Sequence, residues 1–249
     1  MKTVAFLSYP GLTPLDLVGP LQVMSDLSSA IAYLRPEGVE QVEVKVVAAT
    51  REATPTDTPL RIAASHTFEE VPRPDVLVVP GGGLPAIAAT ADEQLINYVR
   101  ESARTAEVTA SVCTGALILA AAGLLDGKPA TTHWAYYRQL ERLGATYRPE
   151  RWVDNGRVIC AAGVSAGIDM ALFLSARLAG EQVARLVQLG IEYDPHPPFG
   201  PIDWSGVDRD MYGPVFASIQ QPLRDALSAR PGMFERLFPE FATDAVGTS

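Results

Sequence analysis

The sequence has few of the residues that build disulfide or metal sites. Only two of its 249 residues are cysteines, Cys113 and Cys160, and only three are histidines. Two cysteines in a chain of this length cannot form a disulfide framework, and they are typical of reduced thiols in a cytoplasmic protein. The histidines and cysteines are too dispersed to match a zinc signature, so the sequence predicts no metal site.

Positive charge and long apolar runs are scarce as well. Lys and Arg total 20 against 29 Asp and Glu, a formal net charge of −9. Affinity for nucleic acid comes largely from Lys and Arg, so nucleic acid is not an expected partner. The longest apolar run, residues 115–125, is well short of the roughly 20 residues of a membrane span. The apolar run near the N-terminus is also too short for a signal peptide, so we expect neither membrane insertion nor export by that route.

Short β-branched segments alternate with helix-length segments along most of the chain. Several of the short segments are apolar almost throughout, which is typical of strands covered on both faces of a parallel sheet. The sequence therefore predicts an α/β fold, a doubly wound and mostly parallel sheet with helices on both faces. The predicted strands are residues 3–8, 42–48, 75–80, 107–112 and 157–163, and the predicted helices are residues 15–27, 92–103, 115–125, 133–143, 166–178 and 181–191.

Two segments depart from this alternation. Residues 50–71 contain Pro55, Pro59 and a short β-like stretch at 60–64, which predicts a small hairpin or excursion. The chain after residue 199 is rich in Pro, Gly and aromatic residues, with a helix expected near 213–227. We therefore predict a domain at 1–199 and a C-terminal aromatic extension at 200–249 that packs on the core or on a neighbouring subunit.

One segment, EVTASVCTGALIL, has the pattern of a nucleophile elbow. A predicted strand reaches Cys113, turns sharply, and enters a helix at about Gly115. A side chain at such a turn projects from the carboxyl edge of the sheet, near the free N–H groups and positive dipole of the helix. We expect this setting to lower the pKa of the Cys113 thiol and to make it a nucleophile, with Gly115 permitting the tight turn. The alternative is a buried, inert thiol, which is what we predict for Cys160 in mid-strand.

A carboxyl group near the same edge of the sheet could serve as a proton partner. The loop after the first strand brings Asp16 to the carboxyl ends of the strands, where sites form in open α/β sheets. Asp16 could face Cys113, or it could simply interact with the N-terminus of its own helix, and the sequence favours neither interpretation. If the two groups meet, they should share one proton, and we expect a protonated Asp16 beside a Cys113 thiolate.

Polar groups around this pair come from two further motifs. The segment PGGGLPA follows another predicted strand, and the N–H groups of Gly82 and Gly83 are expected to bind developing negative charge, unless the glycines only form a turn. The segment lacks the GxxxxGK[ST] and GxGxxG patterns of phosphate loops. Thr114 can hydrogen-bond substrate or water but cannot act as a base, which argues against a peptidase-like Cys-His pair. We expect His133 to cap or pack at the start of its helix.

Together these motifs resemble the ThiJ/PfpI branch of the class I glutamine-amidotransferase-like superfamily, and within it the isonitrile hydratase group. The resemblance covers roughly residues 4–199. Its most specific part is residues 111–145, SVCTGALILAAAGLLDGKPATTHWAYYRQLERLGA, supported by LDLVGP, VPGG, SAGID and EYDPHPPF elsewhere. The segment 111–145 is also similar to the amidase-like domains of AraC-type regulators.

This resemblance implies a flavodoxin-like fold and cysteine-dependent hydration of isonitriles to N-substituted formamides. It implies Cys113 as the nucleophile, Asp16 as its acid/base partner and Thr114 as a supporting polar group, in a homodimer without a cofactor. Three alternatives stay open. The chain could be a non-enzymatic small-molecule sensor, a redox-sensing thiol protein, or another cysteine hydrolase or glyoxalase-like enzyme.

Overall fold

The computed structural model describes residues 1–245 and places eleven strands and ten α-helices within them. The strands are β1 (Lys2–Leu7), β2 (Val42–Ala48), β3 (Thr54–Pro55), β4 (Arg61–Ile62), β5 (His66–Thr67), β6 (Val76–Val79), β7 (Val108–Val112), β8 (Pro129–Ala130), β9 (Thr146–Tyr147), β10 (Trp152–Asp154) and β11 (Val158–Ala161). The α-helices are α1 (Pro14–Leu34), α2 (Leu84–Ala89), α3 (Glu93–Thr105), α4 (Gly115–Ala121), α5 (Tyr137–Arg142), α6 (Ala166–Ala179), α7 (Glu181–Gly190), α8 (Gly213–Ser218), α9 (Gln220–Ala226) and α10 (Met233–Leu237). Short 3-10 helices cover Trp134–Tyr136 and Pro239–Ala245.

Seven strands form the main sheet in the order β10-β11-β7-β6-β1-β2-β5. All neighbours are parallel except β10, which pairs antiparallel with β11. Every residue of β6 and β7 is buried, as expected of central strands covered on both faces. The chain runs outward from β1 to β2 on one side and then returns to β6 on the other. This reversal places a switch point between β1 and β6, where α/β sheets form their binding crevices.

The helices pack in two groups against this sheet. Helices α1, α6 and α7 contact one another, with α1 also against β1 and β2 and α6 against β7 and β11. Helix α4 packs on β6 and β7, α3 packs on β6 and α4, and α2 and α5 pack on α4. The doubly wound, mostly parallel α/β fold predicted from the sequence is therefore confirmed.

The five predicted strands correspond to β1, β2, β6, β7 and β11, and the predicted hairpin is the antiparallel pair of β3 and β4. The edge strands β5 and β10 were not predicted, because two or three residues are too few to show a hydrophobic period. None of the helices within residues 1–245 has the length and apolarity needed to cross a bilayer.

The C-terminal extension carries short helices and an aromatic cluster. The single helix predicted at 213–227 is two helices, α8 and α9, which meet at Ile219. The ring of Phe238 is fully buried and contacts the rings of Phe216, Phe234 and Phe241. Phe216 also packs edge-on against Tyr136 of the main domain, and so couples the cluster to the core. A domain boundary at residue 199 stays a prediction, and residues 246–249 of the extension lie outside the described residues.

Truncating the centre of this cluster should destabilise the protein. We expect Phe238→Ala to lower the free energy of unfolding by about 3–5 kcal/mol, because it removes a fully buried ring and leaves a cavity. Urea denaturation followed by circular dichroism measures the change. Phe199→Ala is the matched control, since that ring is 98% exposed and should change stability by less than about 0.5 kcal/mol. Equal stability of the two variants would contradict the packing described above.

Candidate active site

Cys113 lies at a sharp turn between the end of β7 and the start of α4. Its φ angle is +56°, in the left-handed region that residues other than glycine rarely adopt. The Cys113 N–H donates to the Ala162 carbonyl at 2.8 Å, and the Cys113 carbonyl accepts from Thr132 Oγ1 at 2.9 Å. These bonds hold the backbone in the conformation of a nucleophile elbow, with the sulfur at the carboxyl edge of the sheet.

Gly115 permits the tight turn through its lack of a side chain. The left-handed conformation is that of Cys113, so Gly115 contributes by close packing and not by its backbone freedom. A Cβ atom at Gly115 would collide with the carbonyl oxygen of Val79 and would lie 2.9 Å from that of Pro80. The absence of a side chain therefore lets the first turn of α4 approach the end of β6.

Asp16 lies in the first turn of α1 and is fully buried. Its Oδ2 accepts a hydrogen bond from the Gly81 N–H at 3.0 Å, while the Gly81 carbonyl accepts from the Thr13 N–H at 2.9 Å. The loop after β6 thus fixes the start of α1. A Cβ atom at Gly81 would lie 2.8 Å from Oδ2 of Asp16, so only glycine allows this approach. Of the two interpretations open for Asp16, the structure gives the one in which it faces the Cys113 site.

The charge state of Asp16 follows from its burial. Its pKa is raised from 3.8 to about 7. Burial is the largest cause and the charge of Asp57 adds to it, while the hydrogen bond from the Gly81 N–H lowers the pKa. The Cys113 thiol is near enough to lower the pKa of the carboxyl by weak hydrogen bonding. However, Oδ1 of Asp16 has no partner at full hydrogen-bond geometry among residues 1–245. A proton on Oδ1 would remove the cost of a buried charge that has no partner, so we expect Asp16 to be protonated at this oxygen.

The pKa of Cys113 is raised, which corrects the expectation of a thiol with a lowered pKa. Burial raises it most, and the neighbouring Asp16 carboxylate raises it further. The N–H groups of Val164 and Thr114 and the Thr114 hydroxyl favour the thiolate, but they do not compensate. Only 5% of the residue is exposed, and α4 has seven residues, so its dipole is weak. The two groups thus share one proton. Because the pKa of Cys113 is raised, the expected state, a Cys113 thiolate beside a protonated Asp16, is not favoured.

The N–H groups of Gly82 and Gly83 have a different partner from the one expected. They donate to Thr114 Oγ1 at 2.9 and 3.1 Å. An oxyanion could use these two N–H groups only by displacing Thr114, which corrects the interpretation of both glycines as free oxyanion donors. Their contact instead fixes the Thr114 hydroxyl beside the Cys113 sulfur, and Thr114 itself is fully buried.

Two tyrosines near the pair were missed in the sequence. Tyr9 is buried and donates from its hydroxyl to the Pro80 carbonyl at 3.0 Å. Burial raises its pKa, and the charges of Asp16 and Cys113 raise it further. Burial also raises the pKa of Tyr136, as does Cys113. Tyr9 precedes Asp16 in the same loop after β1, so its position in sequence was a usable signal, whereas nothing marked Tyr136.

A cavity of about 660 Å³ begins beside Cys113. Its inner end includes Thr132, which bonds the Cys113 carbonyl, and Val164, whose N–H points to the sulfur. Leu15, adjacent to Asp16, lines it as well. Cys113 itself is not among the residues that line the cavity.

The remaining candidates have structural roles. His133 lines the cavity, and its Nδ1 accepts from the Ala135 N–H at 3.3 Å, which confirms the expected cap. Burial lowers its pKa, so the ring is neutral. Cys160 is fully buried in β11, as expected. No three His, Cys, Asp or Glu side chains within residues 1–245 form a cluster that could hold a metal.

The fold and the elbow define a class of protein, an α/β protein with a cysteine at the carboxyl edge of a parallel sheet and a buried carboxyl beside it. Comparison with known protein families identifies the family within this class. The DJ-1/PfpI family matches residues 2–177, and the chain belongs to this family.

Individual relatives support the assignment. Isonitrile hydratase of Pseudomonas putida is 41% identical over 197 residues, 79% of this chain and 80% of that protein. A crystal structure of a ThiJ/PfpI family protein from Pseudomonas syringae aligns with a TM-score of 0.77 at 31% identity, covering 92% of this chain and 90% of the other. The HTH-type transcriptional regulator CdhR of Pseudomonas aeruginosa is 33% identical over 129 residues, 50% of this chain and 37% of that protein.

Removing the Asp16 charge should make Cys113 easier to ionise. The carboxylate raises the pKa of the thiol, so Asp16→Asn should lower it and speed alkylation by iodoacetamide at pH 8 about tenfold per pKa unit. Rates follow from intact-protein mass spectrometry, and peptide mapping of Cys160 reports any unfolding. Asp26→Asn changes the same residue type further along α1 and should leave the rate unchanged. Rapid alkylation of the wild-type protein at pH 6 would show instead that the pKa is lowered.

Proposed function

We propose that this protein hydrates isonitriles to N-substituted formamides, with Cys113 as nucleophile and Asp16 as acid and base. The observation that carries the proposal is the buried Asp16 carboxyl beside Cys113 at the nucleophile elbow. The 41% identity to the isonitrile hydratase of Pseudomonas putida, over most of both chains, supports the choice of substrate class.

An isonitrile suits the restricted access to the sulfur. Its terminal carbon carries no substituent, so the reacting end of the molecule is narrow and linear. Such an end can approach a residue that is only 5% exposed, whereas a branched amide or ester carbonyl would meet the surrounding side chains. The substituent on nitrogen would then lie in the cavity that begins at Thr132 and Val164.

The first step forms a thioimidate. The sulfur of Cys113 attacks the terminal carbon, and the single proton of the pair passes through Asp16 to the same carbon. The product of this step is R–N=CH–S–Cys113, and Asp16 becomes an ionised carboxylate. Carbon is the site of both new bonds, so the acid must stand beside the nucleophile, as Asp16 does.

The second half of the reaction returns the protein to its starting state. Ionised Asp16 accepts a proton from water while the hydroxide adds to the thioimidate carbon, and the proton passes to nitrogen. The adduct R–NH–CH(OH)–S–Cys113 then loses its hydroxyl proton to Asp16 as the carbon–sulfur bond breaks. The formamide R–NH–CHO leaves, and the pair again holds one proton.

Thr114 has a positioning role in this scheme. The N–H groups of Gly82 and Gly83 fix its Oγ1, so its hydroxyl hydrogen is directed towards the Cys113 sulfur. A donor at that place stabilises the sulfur anion as it forms and as it leaves. Gly82 and Gly83 thereby act through Thr114.

Redox sensing and a sensor role are less well supported than isonitrile hydration. Redox sensing requires a readily formed, accessible thiolate, whereas Cys113 is buried and its pKa is raised. A sensor role finds support in the similarity to CdhR, but that similarity covers half of this chain. Glyoxalase-like chemistry is separated from isonitrile hydration by assaying methylglyoxal beside an isonitrile.

We also propose that the protein is a cytoplasmic homodimer. Both cysteines are free thiols, which fits a reducing compartment. Exposed apolar side chains on α1 and α7, including Val18 and Leu189, support a subunit contact on these mutually packed helices.

The two proposed catalytic groups give the first test. Cys113→Ala and Asp16→Asn should each lower kcat/KM for a simple alkyl isonitrile at least about 10³-fold, because each removes a reacting group. Formamide production is followed by infrared absorbance or chromatography, and circular dichroism checks the fold. Cys160→Ala removes the other thiol and should keep most activity. Full turnover by Cys113→Ala would refute the mechanism.

The pH dependence gives an independent test. The pair is active with one proton. Below pH 7 the pair holds two protons, and the one-proton form appears when Asp16 ionises at its pKa of about 7. This form persists while the pH stays below the raised pKa of Cys113. We expect kcat/KM to fall about tenfold per pH unit below 7 and to stay level between pH 7.5 and 9. A rate that falls as pH rises through 7 would contradict the shared-proton scheme.

A further inference from the structure

We propose that residues 202–209 of the C-terminal extension form the outer wall of the substrate pocket and select neutral isonitriles with a bulky apolar substituent. This inference rests on the proposed function. The wall lies outside residues 2–177, the part of the chain matched by the DJ-1/PfpI family.

The cavity extends from the surroundings of Cys113 to the C-terminal extension. Its inner end is formed by Thr132 and Val164, both in contact with Cys113, and its outer end by Ile202, Trp204 and Arg209. The volume of about 660 Å³ is in the range of pockets that enclose drug-sized ligands. A methyl group would leave most of that space to water.

The residues that directly follow the wall bind it to the main domain. Asp210 forms an ion pair with Arg138 at 2.9 Å, and Tyr212 packs edge-on against Trp134. Within the wall, the Ser205 N–H donates to Asp203 Oδ1 at 3.0 Å in a turn that contains Trp204. These contacts fix the segment beside the cavity.

The lining favours an uncharged, apolar substituent. Ile202 and Trp204 expose 63% and 49% of their surfaces, and a substituent seated against them would cover apolar area. The charged lining residues are Glu150, Arg151 and Arg209. Arg151 pairs with Asp169 at 2.6 Å, and Glu150 and Arg209 carry opposite charges, so the lining has no net charge that would favour an ionic substituent.

The test compares methyl isonitrile with 2-phenylethyl isonitrile, which have the same alkyl attachment at nitrogen. The wild-type protein should prefer the phenylethyl compound in kcat/KM by about 100-fold, and Trp204→Ala should reduce that ratio about tenfold. Trp204→Phe should restore most of it. Phe199→Ala is the matched control, because Phe199 is an exposed aromatic residue just before the wall and does not line the cavity. It should keep the wild-type ratio.

A binding measurement separates this inference from the proposed function. Calorimetry with N-(2-phenylethyl)formamide and the Cys113→Ala protein should show binding that weakens about tenfold when Trp204→Ala is added. Such binding without turnover of either isonitrile by the wild-type protein would overturn the proposed function and support the pocket. Turnover with an unchanged ratio in Trp204→Ala would overturn the pocket assignment alone. A change of oligomeric state in Trp204→Ala, measured by light scattering, would also overturn it, since Trp204 would then cover a subunit contact.

Discussion

The left-handed backbone of Cys113 is the constraint on which the site depends. Such a conformation costs about 1–3 kcal/mol for a residue with a side chain, and the surrounding structure must repay it. The Ala162 carbonyl and the Thr132 hydroxyl do so through hydrogen bonds to the Cys113 backbone. Gly115 contributes by letting α4 begin directly against the end of β6. With the turn fixed in this way, the sulfur has one direction to point, and the other groups are arranged around it.

Gly81 connects this turn to the rest of the sheet edge. Its N–H binds Asp16 and its carbonyl binds Thr13, so the loop after β6 determines where α1 begins. Asp16 is consequently carried to Cys113 by a backbone contact and not by its own helix alone. The hairpin of β3 and β4 is hydrogen-bonded to the loop after β1, and the charge of Asp57 in this hairpin contributes to the raised pKa of Asp16. The loops after three strands therefore jointly set the acidity of one carboxyl.

The sequence allowed the fold and the sharp turn at Cys113 to be predicted because both depend on local patterns. Apolar runs gave the central strands, and SVCTG gave the elbow at Cys113. The partner of Gly82 and Gly83 and the direction of the pKa shift of Cys113 could not be predicted in the same way. Both depend on contacts between segments far apart in the chain, such as Gly82 with Thr114 and Asp16 with Cys113. A helix terminus suggested a lowered pKa, but burial and a neighbouring carboxylate have the larger effect.

A raised thiol pKa is compatible with catalysis on this kind of substrate. A thiolate derived from a weaker acid is rarer but more nucleophilic, so part of the loss in population is recovered in reactivity. An isonitrile carbon also needs a proton at the moment it accepts sulfur, and a strongly ionised Cys113 would leave that proton in solvent. A buried pair that retains one proton keeps it within reach of the carbon. The burial that raises the pKa of the resting thiol thus also keeps a protonated acid where the proposed reaction requires it, and it suits the narrow reacting end of the proposed substrate.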